Sequence, residues 1–221
     1  MIVVYDWDGT LSDSLDAIVQ ALTDASDVCN LPRLESTVYR SIIGMNLPAA
    51  CEALYPAESV ASRERYAEGY RRCFGLDSAT RLYDGAAQHL AEIAKIAGVQ
   101  LAVATGKSRE GLDFALESLG YGNRFVATKT SSDAPSKPSP EMLLQLRSEL
   151  EDGDVVMIGD SVLDVGMGVA AGAYTIGVTW GVGSREQLLA AGARSVVNSY
   201  DELSQLLRQH FNATKSFDSA C

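Results

Sequence analysis

The sequence of 221 residues contains little histidine and no cysteine pair of the C-x-x-C type. Its two histidines, His89 and His210, lie inside helical patterns, which leaves no histidine-rich zinc site and no convincing Ser-His-Asp triad. No cysteine is followed by five residues and an arginine, so the motif of a cysteine-nucleophile phosphatase is missing. A chain of this length needs no disulfides, and we expect its four cysteines to be reduced thiols in a cytoplasmic protein.

Basic residues are also scarce. Lysine and arginine number 18 against 29 acidic residues, which gives a net charge of −11. Such a chain repels phosphate backbones and anionic lipid, so we expect no nucleic-acid partner and no membrane partner. No stretch approaches the roughly 18 apolar residues of a membrane span, and Asp6 and Asp8 interrupt the apolar run of a leader. An anionic substrate would therefore need local positive charge from a lysine or a metal ion.

Short apolar runs recur along the chain, and helical patterns separate them from residue 84 onward. This alternation predicts an α/β fold with a Rossmann-like three-layer core and a mostly parallel sheet. The predicted strands are 1–5, 99–104, 125–127, 154–158, 175–178 and 195–197. Nearly eighty residues after the first strand carry helical spacing instead, which predicts an inserted helical unit. The resulting division is 1–14 and 81–210 for the core, 15–80 for the insert and 211–221 for a polar tail.

The richest motif follows the first predicted strand. Asp6 and Asp8 stand two residues apart, so their side chains point the same way in extended chain, and Gly9 permits a tight turn. A buried pair of acids is costly unless a cation or a reaction needs it. The alternative is a surface turn with incidental acids, because Asp and Gly are common turn residues.

A second motif, Thr105-Gly106-Lys107-Ser108, follows the next strong apolar run. A hydroxyl and free backbone N–H groups at a strand-to-helix turn suit a phosphate group. Simple helix capping would explain Ser108 but neither Thr105 nor Gly106. The segment is not a P-loop, because that motif requires a glycine where this sequence has Leu101.

Two further motifs carry charge. Lys137 is followed by Pro138, and the prolines around it stiffen its backbone, which suits a charge neutraliser, although a solvated loop lysine is the alternative. Asp160 lies just past a predicted strand, and Asp164 would cap the next helix together with Ser161. Because ligands bind beyond the carboxyl ends of parallel strands, we expect these groups at one sheet edge. Clustered carboxylates there would suit Mg²⁺.

Taken in order, these motifs resemble the four signatures of the haloacid dehalogenase superfamily of aspartyl-nucleophile hydrolases. The matching segments are Asp6-x-Asp8-Gly9-Thr10, Thr105, Lys137-Pro138 and Gly159-Asp160-x-x-x-Asp164. Trp7 stands where the family often carries Phe or Leu. The resemblance covers the core, and the helical insert is similar to the cap of the branch that contains phosphoglycolate phosphatase.

The resemblance implies a role for each motif residue. Asp6 would attack phosphorus and form an aspartyl-phosphate, and Asp8 would protonate the leaving oxygen and then activate water. Lys137 and Thr105 would complete the catalytic set. The expected Mg²⁺ ligands are Asp6, the backbone carbonyl of Asp8, Asp160 and Asp164. The residues expected to bind substrate are Gly9, Thr10, Thr105, Gly106, Lys107 and Arg40.

The function expected on this basis is Mg²⁺-dependent hydrolysis of a small phosphorylated metabolite by a monomer or a homodimer. Phosphoglycolate is the first candidate substrate. A sugar-phosphate mutase, a pyrophosphatase and a nucleotidase of the same superfamily stay open. Outside it, the alternatives are a receiver-type signalling module, which also places acids, Thr and Lys around Mg²⁺, and a non-catalytic interaction protein with an idle acidic site.

Overall fold

Six parallel strands form one sheet at the centre of the molecule. The computed structural model describes residues 1–75, 81–151 and 153–218, with side chains through residue 212. The strands are β1 (Ile2–Tyr5), β2 (Gln100–Thr105), β3 (Ala127–Thr130), β4 (Val155–Gly159), β5 (Tyr174–Val178) and β6 (Ser195–Val197). They are arranged in the order β3-β2-β1-β4-β5-β6, so the first strand lies in the middle. Every pair is parallel, which confirms the predicted fold class.

Ten helices accompany the strands in the described part of the chain. They are α1 (Leu15–Val28), α2 (Ser36–Ser41), α3 (Leu47–Leu54), α4 (Val60–Phe74), α5 (Ala86–Ile93), α6 (Arg109–Ser118), α7 (Glu141–Glu149), α8 (Val162–Ala170), α9 (Arg185–Ala190) and α10 (Tyr200–Asp218). Helices α5, α6 and α10 bury apolar side chains against one face of the sheet, and α7 and α8 against the other. The core therefore has three layers, and the fully buried β1 reads as a continuous apolar run for that reason.

The first four helices form a cap with an apolar core of its own. The Tyr39 and Tyr55 hydroxyls lie 2.7 and 2.8 Å from Ser26 Oγ at its centre. The two chain segments that join the cap to the core pair with each other, since the Asp13 N–H donates to the Arg81 carbonyl over 2.9 Å. The inserted α-helical cap is thus confirmed. Its predicted end at 76–80 lies outside the described residues.

Four of the predicted strands, 1–5, 99–104, 154–158 and 175–178, differ from the structure by one residue at one or both ends, and two predicted segments differ by more. Strand β3 begins two residues later than expected, because the Phe125 ring packs edge-on against Trp7 in the core before the strand starts. Helix α10 continues through most of the segment predicted as a polar tail, 211–221. Phe211, at the start of that segment, is buried in the core, and burial of its ring favours continuation of the helix.

The described residues include three of the four cysteines. Cys29, Cys51 and Cys73 are free thiols, as expected, and Cys221 lies outside the described residues. Within the described ranges no helix combines the length and the apolar character needed to cross a bilayer.

Candidate active site

Asp6 lies at the centre of the carboxyl edge of the sheet. Its N–H still donates to the Ile158 carbonyl over 2.9 Å, so the residue continues the register of β1. Side chains alternate between the faces of a strand, and Asp6 therefore points away from the side on which Tyr5 is buried. The Asp6 side chain is almost completely buried, which is unusual for a carboxylate unless charged groups surround it.

Lys137 joins two of the predicted acids. Its ammonium lies 2.6 Å from Asp6 Oδ1 and 2.6 Å from Asp164 Oδ1, and all three side chains are buried. Burial lowers the pKa of Lys137, but the carboxylates of Asp164 and Asp6 outweigh burial and hold that pKa above its usual range. Lys137 is therefore a fixed positive charge beneath Asp6, as the stiff proline-flanked segment predicts.

Asp164 serves two purposes. Its Oδ2 accepts hydrogen bonds from the Ser161 N–H at 3.1 Å and the Ser161 hydroxyl at 2.6 Å, which completes a capping box at the start of α8. Its Oδ1 is left to pair with Lys137. Asp164 therefore belongs both to the capping box of α8 and to the candidate site, because the capping box orients its carboxylate towards Lys137.

Asp160, at the end of β4, is held by a tight backbone cradle. The Thr10 hydroxyl donates to its Oδ1 over 2.9 Å, and the Val182 N–H donates to its Oδ2 over 2.8 Å. A Cβ added at Gly9 or Gly181 would stand 2.4 or 2.1 Å from Asp160 Oδ2, so only glycine fits at these positions. Neither Gly181 nor Val182 was predicted as a site residue. The available signal was the repeated glycine of Gly181-Val182-Gly183 just after β5.

The three buried carboxylates of Asp6, Asp160 and Asp164 can share a cation. Their oxygens lie within 4.8 Å of one another. Burial raises the pKa of Asp6 and raises the pKa of Asp160 to about 7, where the neighbouring Asp164 carboxylate adds to the effect. Three acids face one lysine, so the cluster lacks positive charge. Hard carboxylate oxygens with this deficit fit a divalent cation such as Mg²⁺.

The carboxylate of Asp8 lies apart from that cluster. Its two oxygens are 3.0 and 3.1 Å from the Lys107 ammonium, and the Ser14 hydroxyl donates to Oδ1 over 2.6 Å. The Lys107 ammonium also stands 5.1 Å from the centre of the Phe74 ring of the cap. This pairing was not predicted, because nothing in the sequence links two residues that are 99 positions apart. The metal role of the Asp8 backbone carbonyl stays a prediction.

Thr105 and Gly106 stand at the end of β2. The Thr105 hydroxyl accepts a hydrogen bond from the Lys107 N–H over 3.2 Å, and Ser108 caps α6. A Cβ at Gly106 would lie 2.5 Å from the Gly44 carbonyl oxygen of the cap. Glycine at 106 therefore lets the backbone of the cap touch the backbone of the core.

A cavity of about 780 Å³ opens above these residues, between cap and core. The predicted site residues among its lining are Asp6, Asp8, Thr105, Gly106 and Lys107. Lys137, Asp160 and Asp164 are buried beneath its floor. The cavity thus joins the nucleophile candidate, the second acid and the hydroxyl in one space between cap and core.

Three residues predicted to bind substrate are placed elsewhere. Gly9 and Thr10 do not line the cavity, since both pack against the Asp160 carboxylate. Arg40 forms an ion pair with Asp16 and is also absent from the lining. Tyr39 takes the buried side of the short helix α2, which turns its neighbour Arg40 outward.

Comparison with known proteins agrees with this geometry. A family model described as haloacid dehalogenase-like hydrolase matches residues 3–178. The chain belongs to this family. The resemblance drawn from the four motifs is therefore confirmed over residues 3–178, which contain the cap and, apart from Ile2, the first five strands of the core.

Individual relatives of this haloacid dehalogenase-like hydrolase carry phosphatase names. The probable phosphatase IndB of Dickeya dadantii is 31% identical over 210 residues, which cover 91% of each chain. A phosphoglycolate phosphatase of Rhodospirillum rubrum is 28% identical over 219 residues, 93% of this chain and 90% of that protein. The crystal structure of a predicted phosphatase from Clostridium acetobutylicum superposes with a TM-score of 0.82 at 26% identity, covering 94% of this chain and 98% of that one.

Proposed function

We propose that this chain is a Mg²⁺-dependent phosphatase that hydrolyses a phosphate monoester through an aspartyl-phosphate on Asp6. The observation that carries the proposal is the placement of Asp6. It is a buried carboxylate in the lining of the cavity between cap and core, paired over 2.6 Å with a lysine that is itself buried. A nucleophile in that position would face any phosphate group that enters between cap and core.

In the first step, an Asp6 oxygen forms a bond to phosphorus while the bond from phosphorus to the ester oxygen breaks. Asp8 gives a proton to the departing alcohol. In the second step, water attacks phosphorus, Asp8 takes a proton from that water, and the Asp6 carboxylate is released. Two easier displacements thus replace one difficult displacement.

Charge stabilisation falls to the groups around Asp6. Lys137 balances the nucleophile, and the Thr105 hydroxyl and Gly106 N–H bind phosphoryl oxygens as negative charge spreads over them. Asp6, Asp160 and Asp164 would hold Mg²⁺, with the Asp8 carbonyl as a further ligand. The bound ion supplies positive charge at the phosphoryl group. The cap excludes water while the aspartyl-phosphate exists.

Phosphoglycolate is the first compound to test, because the cap resembles that of phosphoglycolate phosphatases and a relative at 28% identity has that name. The superfamily alternatives, a mutase, a pyrophosphatase and a nucleotidase, would use the same nucleophile and differ in the group bound by the cap. In the mutase the phosphoryl group would pass from Asp6 to a sugar hydroxyl and not to water. The substrate is a small phosphorylated molecule in each case. A cytoplasmic location and a monomeric or homodimeric state stay predictions.

The test is release of phosphate from p-nitrophenyl phosphate with and without Mg²⁺. We expect turnover that EDTA abolishes and Mg²⁺ restores, and a phosphorylated Asp6 peptide after acid quench. Asp6→Asn should remove both signals. A receiver module would accept phosphate without fast turnover, and an idle interaction protein would show neither. Full turnover in Asp6→Asn would contradict the proposal.

A further inference from the structure

The cavity above Asp6 is larger than a two-carbon leaving group requires. Its volume is about 780 Å³, within the range of roughly 300–1,000 Å³ that holds drug-sized ligands. A glycolate leaving group would leave most of this space to water. If the proposed function holds, the shape and chemistry of this space describe the alcohol that the enzyme releases.

Cap and core are in contact beside this cavity. The Gly44 carbonyl of the cap lies so close to Gly106 that a Cβ there would stand 2.5 Å away. At the next residue of the core, the Lys107 ammonium lies 5.1 Å from the centre of the Phe74 ring of the cap. The cavity therefore has its volume while cap and core touch at two consecutive core residues.

The walls of the cavity are mainly apolar. The cap contributes aliphatic side chains from α1, from the loop after α2 and from α3, and aromatic side chains from α4, while α6 contributes one aromatic side chain from the core. These residues are Ile18, Leu22, Ile42, Ile43, Leu47, Tyr70, Phe74 and Phe114. The Tyr70 and Phe74 rings stack with their centres 5.5 Å apart and their planes at 23°. This aromatic pair gives the cavity wall an apolar contact for an incoming ring.

Positive charge in the cavity is already engaged or lies at its rim. The Lys107 ammonium is held by both oxygens of Asp8. Arg71 pairs with Glu68 over 3.3 Å, and both side chains are 58% exposed. Arg72, which also lines the cavity, is exposed to solvent. A carboxylate on the leaving group would lose its hydration without gaining a free cation in the described interior. An uncharged alcohol meets no such penalty.

Tyr70 supplies one polar group within this apolar wall. Among the described residues, its hydroxyl has no hydrogen-bond partner. Burial, and after it the nearby Asp8 carboxylate, raises the pKa of Tyr70. A hydroxyl in such surroundings donates or accepts one hydrogen bond when a ligand provides the partner.

We propose that the substrates are phosphate monoesters of uncharged, ring-bearing alcohols, whose ring packs against Tyr70 and Phe74. The phosphate lies over Asp6 and Thr105, and the ring fills the apolar space beneath α4. Tyr70 and Phe74 are then the residues that select the leaving group, and small anionic esters such as phosphoglycolate are poor substrates.

A matched ester series tests the selection. With Mg²⁺ present, kcat/KM is measured for 1-naphthyl phosphate, phenyl phosphate and phosphoglycolate. The two aryl esters have leaving groups of similar acidity and differ mainly in the second ring. We expect kcat/KM for 1-naphthyl phosphate to exceed that for phenyl phosphate about tenfold and that for phosphoglycolate by more. Tyr70→Ala should reduce the naphthyl-to-phenyl ratio to about threefold or less, whereas the exposed α4 control Val60→Ser should keep it.

Calorimetry on the wild-type protein with Mg²⁺ gives a readout without turnover or substitution. The probes are 1-naphthylmethylphosphonate and 3-phosphonopropionate, the carbon-linked analogues of the ring ester and of phosphoglycolate. The ring analogue should bind at least tenfold tighter, and equal or weaker binding would overturn the inference. Hydrolysis with phosphoglycolate preferred would also overturn it and leave the proposed function intact. No hydrolysis of any ester would remove the proposed function and the inference with it.

Discussion

Two buried polar clusters flank the end of β1, and they are built on neighbouring residues. Tyr5 points to the α5 and α10 side and joins His89 and Ser204, which we call the histidine cluster. Asp6 points to the other side and joins Lys137, Asp160 and Asp164, the acid cluster. Both are shielded from solvent, yet they satisfy their polar groups to different degrees.

The histidine cluster is complete. His89 Nε2 lies 2.8 Å from the Tyr5 hydroxyl, and Nδ1 lies 2.7 Å from Ser204 Oγ, so each ring nitrogen has a partner. Burial lowers the pKa of His89 to about 4, which leaves the ring neutral at physiological pH. Neutral groups with full hydrogen bonding stabilise a core at little electrostatic cost.

The acid cluster is incomplete in charge. Three carboxylates share one ammonium, and burial raises the pKa of Asp6 and of Asp160. A fold that needed only stability would have no use for this arrangement, since a charge-deficient buried cluster destabilises the folded state. The comparison teaches that a complete buried network supports structure, whereas an incomplete one indicates where a ligand or a reaction belongs.

The largest effect expected from this comparison is on activity. Asp6→Asn removes the nucleophile and should lower kcat for p-nitrophenyl phosphate about 10⁴-fold or more. The same change removes one carboxylate from a cluster of three carboxylates and one ammonium, and Lys137 keeps Asp164 as its partner. Thermal unfolding without metal should therefore stay at or above the wild-type midpoint. Calorimetric melting of both proteins in EDTA checks this. A melting point several degrees lower would mean that the acid cluster stabilises the fold as the histidine cluster does.

The neighbouring cluster should show the opposite behaviour. His89→Leu leaves the hydroxyls of Tyr5 and Ser204 buried without their partner, which costs about 2–4 kcal/mol of unfolding free energy. For a chain of this size that corresponds to a melting point lower by roughly 5–10 °C. Phosphatase activity below the transition should be unchanged. Urea unfolding measures the loss, with the exposed α5 substitution Gln88→Ala as control. A change in kcat without a change in stability would mean that the histidine cluster serves the reaction and not the fold.

The two clusters also predict opposite dependences of stability on pH. His89 titrates near 6.5 when unfolded and near 4 when folded, so the unfolded chain binds more protons in between and stability falls as the pH falls through this window. The loss reaches about 3 kcal/mol, at 1.36 kcal/mol for each pKa unit. Asp160 acts in the other direction, because its pKa rises from 3.8 to about 7 on folding and the folded state gains stability on acidification.

Urea unfolding in EDTA between pH 4 and 7 separates these contributions. In the wild type the two contributions oppose each other between pH 7 and pH 4. Asp160→Asn removes the gain that comes from the raised Asp160 pKa, so stability should fall more steeply on acidification than in the wild type. His89→Leu removes the histidine loss, so stability should fall less, or rise more, on acidification than in the wild type. Identical slopes in both variants would show that neither cluster titrates as described.

The residues that could be predicted from the sequence are those whose position depends only on the parallel sheet. Asp6 and Asp160 each follow a strand of that sheet, Thr105 ends one, and parallel strands bring their carboxyl ends to one edge. Lys137 was found because prolines mark its segment. Their convergence therefore needed no knowledge of how the loops pack.

Contacts between distant loops could not be derived in the same way. The pairing of Asp8 with Lys107 depends on where one side chain points among several nearby acids. The Gly181 cradle depends on the path of the loop after β5. Arg40 was misplaced because the short helix α2 has only one buried residue, Tyr39, to indicate which way it faces.

Thr10 offers the smallest and most discriminating test, since the sequence predicts a substrate contact and the structure places its hydroxyl on Asp160. Its backbone is anchored independently, because the Trp180 indole N–H and the Tyr200 hydroxyl donate to the Thr10 carbonyl at 3.0 and 2.5 Å. Thr10→Val should therefore remove only the hydrogen bond that orients Asp160. Groups that orient a metal ligand typically contribute about tenfold or more to affinity, so the Mg²⁺ dissociation constant from calorimetry should rise about tenfold. KM for the ester at saturating Mg²⁺ should change less than threefold. A raised KM with unchanged Mg²⁺ affinity would instead show that Thr10 contacts the substrate and does not orient Asp160 for the metal.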